Sequence, residues 1–286
     1  MVIETLRLDS PAKVNLRLEI LRKREDGYHE IRTLFQQISL HDTLQFSLNS
    51  GKGISVTTDH PGLAVGKENL VYRAAAMILE RSGHRGGVSI HIEKRIPLGA
   101  GLGGGSSNAA TTLSALNEML GAGLGRKDLA ELGLKIGADV PFFLMKGAAI
   151  GAGVGERLKR VELPQFWYLL INPDFEVSSR WAYQHFVLTK TRFRSNIHKF
   201  LRTPSVVSRI LRNDLEDVVG LSYPQINAMK EILSSAGAEG AMMSGSGPTV
   251  FGLFDDRKKA EKAFYQFKVS EIGKQVFLTD LYNPIY

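Results

Sequence analysis

Apolar and polar residues alternate through the first sixty residues, a pattern typical of β-strands with one buried face. The alternating segments are residues 6–8, 14–21, 31–40, 43–48 and 54–58. The charged stretch 22–27 interrupts them and predicts a hairpin turn. At Asn69 the period changes to that of a helix, with Asn69 placed as the N-cap and Gly83 as the stop.

The rest of the chain mixes both patterns. Strands are expected at residues 88–92, 167–171, 249–254 and 275–279, and helices at 106–120, 128–136, 178–186, 224–236 and 257–267. Strands precede helices in the first half, whereas the two interleave in the second half. We therefore predict an α+β fold in two lobes, divided near residues 150–165, with domains 1–160 and 161–286.

Composition narrows the class of protein. Of the 286 residues, 43% are hydrophobic and 23% charged, which is enough apolar material for a sizeable core. Cysteine is absent, so disulfides, thiolate nucleophiles and iron–sulfur clusters are excluded. His29-Glu30 is followed by Thr33 where a His-Glu-x-x-His zinc hydrolase needs its second histidine. No secretory signal or membrane-length apolar run is visible, so a cytoplasmic protein is expected.

The positive charge is local. The chain carries 36 Lys and Arg against 29 Asp and Glu, but residues 177–213 hold eight basic residues and no acidic one. The remainder has 28 basic and 29 acidic residues. This basic segment is either a solvated, mobile surface or an attractor for a polyanion such as nucleic acid or a phosphorylated small molecule.

The glycine excess points to chemistry. Five of the seven residues from Gly99 to Gly105 are glycine, between a predicted strand and a predicted helix. Such a loop can fold its N–H groups around an anion, and the helix that follows adds a positive dipole end. A flexible loop with a Ser or Asn helix cap is the alternative. A Walker loop is absent, and the acidic second strand of a dinucleotide-binding unit is not found, so the pattern predicts a different phosphate loop.

Three strings carry a family resemblance. Pro11-Ala-Lys-Val-Asn15, the glycine loop Pro97–Asn108 and Ser244-Gly-Ser-Gly-Pro-Thr249 resemble, in order and spacing, the three motifs of the galactokinase, homoserine kinase, mevalonate kinase and phosphomevalonate kinase superfamily. The fuller strings SPAKVNL, DGYH, LGGGSSNAA and GADVPFF resemble one family within it, the 4-diphosphocytidyl-2-C-methyl-D-erythritol kinases.

The resemblance implies a fold and an activity. It implies an N-terminal α+β domain, a ferredoxin-like C-terminal domain, and ATP-dependent phosphorylation of the 2-hydroxyl of the cytidine diphosphate substrate. ATP and Mg²⁺ are the implied cofactors, with Asn69, Leu70 and Lys94 around the adenine. The residues implied at the phosphates are Pro97, Leu98, Gly99, Ala100, Gly101, Leu102, Gly103, Gly104, Gly105, Ser106, Ser107 and Asn108.

The same resemblance assigns the chemistry. It makes Lys13 and Asp139 the catalytic pair, because a hydroxyl acceptor needs a base and the transferred group needs a cation. Taken alone, Asp139 is also compatible with a turn cap before Pro141, and Lys13 with a solvated strand lysine. Ser107 is the implied protein oxygen for Mg²⁺.

The substrate end has its own candidates. The resemblance assigns Tyr28 and His29 to the cytosine, Tyr183 as the second aromatic over it, and Asn15 to the erythritol end. Tyr28 as a partly buried aromatic and His29 as a surface histidine are the alternatives. No nucleic acid, membrane or obligate protein partner is expected.

Two other functions remain open from the sequence. One is a superfamily kinase acting on mevalonate or homoserine, which needs no cytosine site. The other is a nucleic-acid-binding protein that uses the basic segment, although that segment matches no RNA-binding signature.

Overall fold

The computed structural model describes residues 4–173, 175–188, 207–269 and 275–282. Residues 189–206, which carry five of the eight basic residues of the basic segment, lie outside the described part, so the choice between its two interpretations stays open. The strands are β1 Thr5–Lys23, β2 His29–Asn49, β3 Gly53–Thr58, β4 Gly87–Glu93, β5 Ala148–Gly153, β6 Arg157–Val161, β7 Trp167–Asn172, β8 Arg212–Asn213, β9 Gly240–Met243, β10 Val250–Phe254 and β11 Gln275–Thr279. The helices are α1 Leu70–Ser82, α2 Gly104–Met119, α3 Arg126–Ile136, α4 Val140–Phe143, α5 Ser179–His185, α6 Val207–Ile210, α7 Glu216–Ser222, α8 Gln225–Ser235 and α9 Arg257–Lys268.

Two compact units divide the chain, and neither is continuous in sequence. The first unit is formed by the chain up to Ala12, His41–Ile96 and Gly103–Lys146. The second is formed by Lys13–Leu40, Pro97–Leu102 and the chain from Gly147 onward. The division into domains 1–160 and 161–286 stays a prediction.

The first unit is built on a small mixed sheet covered by helices. Residues 43–49 of β2 pair antiparallel with β4, and β3 pairs parallel with β4. Helix α1 turns Val71, Ala74 and Ile78 into the core, as its period predicts. Asn69 caps this helix with its side chain and Gly83 ends it in the left-handed region, which confirms both predicted boundaries.

The second unit contains a ferredoxin-like sheet. Its antiparallel strand order is β11-β7-β10-β9, and the chain order is strand, helices, two strands, helix, strand. Helices α8 and α9 pack on this sheet and bury Ile226, Leu233 and Phe267. The same unit holds a second set of strands, in which β2 pairs with β5, β5 with β6, and β8 with β1.

Two strands are longer than the sequence pattern predicts. β1 and β2 each run through a position where the alternation breaks. In β2 the break includes Asp42, which is completely buried and accepts the N–H groups of Arg95 and Ile96 at 2.8 Å each. Because these partners lie more than fifty residues away, a local pattern cannot register them.

No helix among the described residues is long and apolar enough to cross a bilayer.

Candidate functional site

The first half of the glycine loop, residues 97–102, belongs to the second unit. Gly101 has a φ of 75°, and a Cβ there would overlap the carbonyl oxygen of Ser244. The hydroxyl of Ser244 donates to the carbonyl oxygen of Gly101 at 3.0 Å. The N–H of Thr249 points to the carbonyl oxygen of Ala100 at 3.4 Å. The second and third motifs therefore meet backbone to backbone, and glycine is required at the contact.

The second half of the loop, residues 103–108, begins helix α2 in the first unit. Gly103, with a φ of 71°, is the N-cap, so the helix starts two residues earlier than predicted. No side chain caps this end, and the first-turn N–H groups have no partner within the helix. An uncapped helix start preceded by glycines is a cradle for a phosphate group.

Ser107 and Asn108 face inward from this helix. Ser107 is completely buried, and its hydroxyl oxygen accepts the hydroxyl of Ser10 at 2.9 Å. The amide of Asn108 donates to Asp42 at 2.9 Å, and its buried Oδ1 has no hydrogen-bond partner among the described residues. The two side chains thus tie the start of α2 to β1 and β2 of the first unit.

The residues predicted around the adenine also lie in the first unit. Lys94, whose side chain is 3% exposed, pairs with Asp42 at 2.9 Å and donates to the carbonyl oxygen of Ile96. Burial lowers the pKa of Lys94, and the carboxylate of Asp42 opposes that shift. A Cβ on Gly104 would come within 3.4 Å of the Lys94 ammonium, so this lysine stands beside the cradle. No sequence motif pointed to Asp42, whose buried carboxylate holds Lys94 in this position.

Asn69 and Leu70 stand at the start of α1. The Oδ1 of Asn69 accepts the N–H of Val71 at 2.8 Å, and its amide donates to the carbonyl oxygen of Ala64 at 2.5 Å. A Cβ on Gly105 would lie 3.6 Å from Cδ1 of Leu70. The structure therefore brings Leu70 and Lys94 to the glycine cradle, while Asn69 fixes the helix that carries Leu70.

Lys13 and Asn15 project from the same face of β1 in the second unit. Lys13 is 4% exposed, which excludes the alternative of a solvated strand lysine. Its ammonium donates to Oδ1 of Asn15 at 2.5 Å and to the carbonyl oxygen of Gly101 at 3.0 Å. The amide of Asn15 donates in turn to the hydroxyl of Thr33 at 2.8 Å. The ammonium of Lys13 is therefore held in position by Asn15 and Gly101.

The third motif closes over this pair. A Cβ on Gly245 would lie 3.2 Å from the Lys13 ammonium, from Oδ1 of Asn15 and from the carbonyl oxygen of Gly101. The N–H of Asn15 donates to the hydroxyl oxygen of Ser244 at 3.3 Å. The third motif is recognisable in the sequence, although none of its residues is among the predicted site residues. The Gly-Ser string itself was the signal for Ser244 and Gly245.

An aromatic cluster lies in the second unit. The rings of His29 and Tyr183 are stacked with centroids 5.3 Å apart and an interplanar angle of 24°. Tyr28, which precedes His29 in sequence, is 63% exposed, so it is not the partly buried aromatic of the alternative interpretation. Partial burial lowers the pKa of His29, and the charge of Lys23 adds to that shift. The structure therefore brings Tyr183 to His29, and the assignment of the two rings to the cytosine stays a prediction.

Asp139 immediately precedes helix α4 in the first unit. Its side chain makes no capping hydrogen bond to that helix, which argues against the turn-cap alternative. Pro141 follows within the first turn.

Among the residues that the structure describes, no group of three or more His, Asp or Glu side chains is arranged to hold a metal ion.

Family models match two parts of the chain. The GHMP kinases N terminal domain matches residues 69–147, and the GHMP kinases C terminal domain matches residues 196–269. Among curated proteins, the 4-diphosphocytidyl-2-C-methyl-D-erythritol kinase of a Geobacter species, strain M21, is 46% identical over 91% of this chain and 94% of its own length. The protein of that name from Syntrophotalea carbinolica is 48% identical over 89% of this chain and 91% of its own.

Solved structures agree with these relatives. A crystal structure of 4-(cytidine 5'-diphospho)-2C-methyl-D-erythritol kinase superposes with a TM-score of 0.84 at 36% identity, covering 98% of this chain and all of that one. A homoserine kinase from Cytophaga hutchinsonii shares the fold, with a TM-score of 0.77 at 23% identity over 98% and 96% of the two chains. The α+β class with a ferredoxin-like second part is confirmed, and the chain belongs to the 4-diphosphocytidyl-2-C-methyl-D-erythritol kinase family of the GHMP kinases.

Proposed function

We propose that this chain transfers the terminal phosphoryl group of ATP to the 2-hydroxyl of 4-diphosphocytidyl-2-C-methyl-D-erythritol, a step in non-mevalonate isoprenoid precursor biosynthesis. The observation that carries the substrate assignment is the stacked pair of His29 and Tyr183, with the exposed Tyr28 next to His29 in sequence. Related kinases that act on mevalonate or homoserine have no base to recognise. The enzyme is expected to be cytoplasmic and to act on small molecules without nucleic acid, membrane or an obligate protein partner.

The glycine loop is suited to the phosphates of ATP. Glycines with positive φ at 99, 101 and 103 leave backbone N–H groups accessible, and α2 begins without a side-chain cap. Leu70 lies next to Gly105 and Lys94 next to Gly104. These contacts support a position for the adenine of ATP beside the same loop. We assign residues 97–108 to the phosphates and residues 69, 70 and 94 to the nucleoside.

The catalytic groups are proposed to be Asp139 and Lys13. The acceptor hydroxyl is a weak nucleophile at neutral pH, and Asp139 accepts its proton as the new bond to phosphorus forms. Lys13 stabilises negative charge on the transferred group, because its ammonium is already oriented by Asn15 and Gly101. A cation that is oriented before the reaction needs no reorganisation in the transition state.

Mg²⁺ is proposed to accompany ATP. Its usual ligands are phosphate oxygens, waters and few protein groups, which suits a site without an acidic cluster among the described residues. The hydroxyl oxygen of Ser107 accepts one hydrogen bond from Ser10 and keeps a second lone pair for the ion.

Cytosine recognition divides between stacking and hydrogen bonding. Tyr28 and Tyr183 offer flat faces that tolerate any base, whereas the ring nitrogens of His29 can read the edge of cytosine. The lowered pKa of His29 favours the neutral ring at neutral pH, which offers one donor and one acceptor. Asn15 is assigned to the erythritol end of the substrate.

A substrate panel tests the proposal. Purified protein with ATP and Mg²⁺ is offered the cytidine substrate, its uridine analogue, mevalonate and homoserine, and ADP release is measured with each. We expect turnover with the cytidine substrate well above that with the other three. Turnover of mevalonate or homoserine alone would leave a GHMP kinase but remove the proposed substrate.

A further inference from the structure

We propose that Asn213 is a positioning residue that holds the third-motif loop, residues 244–247, against Lys13 and Asn15. The inference rests on the proposed function for the role given to Lys13. It concerns a residue that belongs to none of the three motifs. The geometry that supports it lies entirely within the second unit.

Asn213 uses its whole side chain on the backbone around it. Its amide group donates to the carbonyl oxygens of Met243 at 2.8 Å and Gly245 at 2.7 Å. Its Oδ1 accepts the N–H of Leu215 at 3.0 Å. The residue is 7% exposed, so little water competes for these bonds. Met243 and Gly245 flank Ser244, so one amide group fixes the backbone on both sides of the first residue of the loop.

The residues after Asn213 hold the same region from other directions. One carboxylate oxygen of Glu216 accepts the N–H of Met243 at 2.7 Å, and the other pairs with the ammonium of Lys230. The carboxylate of Asp214 accepts the N–H of Ile20 in β1 at 2.8 Å. We name residues 213–216 the clamp segment, because its side chains bind β1 on one side and the third motif on the other.

Strand β1 is the common platform. β8 pairs parallel with it, Arg212 opposite Arg17 and Asn213 opposite Leu18. The N–H of Asp214 donates to the carbonyl oxygen of Leu18 at 2.9 Å. Lys13 and Asn15 project from the same strand a few residues earlier. The clamp segment therefore fixes the third motif relative to β1, the strand that carries Lys13.

The loop positions Lys13 in turn. Gly245 lies directly against the ammonium of Lys13 and Oδ1 of Asn15, and Ser244 bonds to both Asn15 and Gly101. If the loop withdraws, the ammonium of Lys13 keeps its hydrogen-bond acceptors but loses the packing against Gly245 that restricts its position. We therefore expect loss of the Asn213 donors to lower kcat more than it weakens substrate binding.

Asn213→Asp is the sharpest test, because it keeps the size and the bond to Leu215 but removes both donors. Asn117→Asp is the matched control. Asn117, near the end of α2 in the first unit, also donates to a carbonyl oxygen and accepts an N–H, both of Leu124 in the loop after the helix, at 3.1 Å and 2.9 Å. For Asn213→Asp we expect kcat to fall about ten- to a hundredfold, with each KM within about twofold of wild type.

Hydrogen exchange provides a readout that is independent of the substrate. The N–H of Ser244 is bonded to Thr249 and that of Gly247 to Ser244, both at 2.9 Å. These amides should exchange faster in Asn213→Asp than in wild type or Asn117→Asp. Unchanged exchange together with unchanged kcat would overturn the proposal, as would a loss of activity that Asn117→Asp reproduces at equal loss of melting temperature.

A milder variant covers the case in which Asn213→Asp does not fold. Asn213→Ser keeps one hydroxyl donor, and we expect a partial fall in kcat with partial acceleration of loop exchange. Wild-type behaviour on both measures would count against the clamp segment. If wild-type protein ignores the cytidine substrate, the proposed function fails, while the exchange comparison still decides the role of Asn213.

Discussion

Replacing Gly101 by alanine tests whether the second and third motifs must touch. A methyl group there would overlap the carbonyl oxygen of Ser244 and lie 3.0 Å from the backbone N and O of Gly247. Non-bonded heavy atoms pack at about 3.5–4.0 Å, so the third-motif loop must withdraw by on the order of 1 Å. Because the contacting atoms are backbone, no side chain can rotate away to relieve the overlap.

The expected magnitudes follow from this geometry. Alanine in the left-handed region costs about 1–2 kcal/mol, and overpacking a tight contact adds about 1–3 kcal/mol. For a chain of this size, each kcal/mol lowers the melting temperature by about 2–4 °C. Displacement of the loop by about 1 Å should lower kcat on the order of a hundredfold, since catalytic groups lose alignment.

Gly121→Ala is the matched control for Gly101→Ala. Gly121 also has a positive φ, 59°, but a Cβ there has no neighbour within 4 Å. The control should lose stability through backbone strain alone and keep its turnover. The assay is steady-state kinetics beside a thermal melt for both variants. A Gly101→Ala enzyme with near wild-type kcat would refute the reasoning, because the motifs would then not need this contact.

Three further predictions address the site and the fold. Asp139→Asn should lower kcat by about 10²–10⁴-fold with nucleotide affinity unchanged, measured by kinetics and calorimetric titration; near-normal turnover would remove Asp139 as the base. His29→Ala should weaken binding of the cytidine substrate more than Tyr28→Ala does, and it should reduce the preference for the cytidine substrate over its uridine analogue. The wild-type KM for the cytidine substrate should rise only as the pH falls below the lowered pKa of His29, where the ring becomes charged. Tyr168→Phe should leave the free energy of unfolding unchanged or raise it by up to about 1–3 kcal/mol in denaturant titrations, because the fully buried hydroxyl has no hydrogen-bond partner in the described part of the chain and burial raises its pKa. Marked destabilisation would mean that the hydroxyl is hydrogen-bonded.

Local patterns predicted most elements of the fold. The period of α1, its cap at Asn69 and its stop at Gly83 are properties of a few neighbouring residues, and the structure has all three. β11 occupies the predicted residues 275–279. Where the pattern failed, distant partners decide the outcome. Asp42 stays within β2 because the donors to its carboxylate come from Arg95 and Ile96, just after β4, and from Asn108 of α2. β8 is only two residues long and exists through its pairing with β1.

The candidate site shows the same limit. Sequence motifs pointed to Lys13, the glycine loop and the third motif, but not to the burial of Lys13 or its contact with Gly101. Asn213 carries no motif signal at all. Its role becomes visible only when residues 213 and 243–245 are seen together, because an amide side chain has no preferred partner in sequence.

A crystal structure of the protein with a non-hydrolysable ATP analogue, Mg²⁺ and a cytidine diphosphate ligand tests the central claim most directly. The account predicts phosphate groups at the N–H groups of residues 103–106, and cytosine stacked on Tyr28 or Tyr183 with a hydrogen bond to His29. Cytosine bound away from these three residues, or phosphates away from the start of α2, would contradict it.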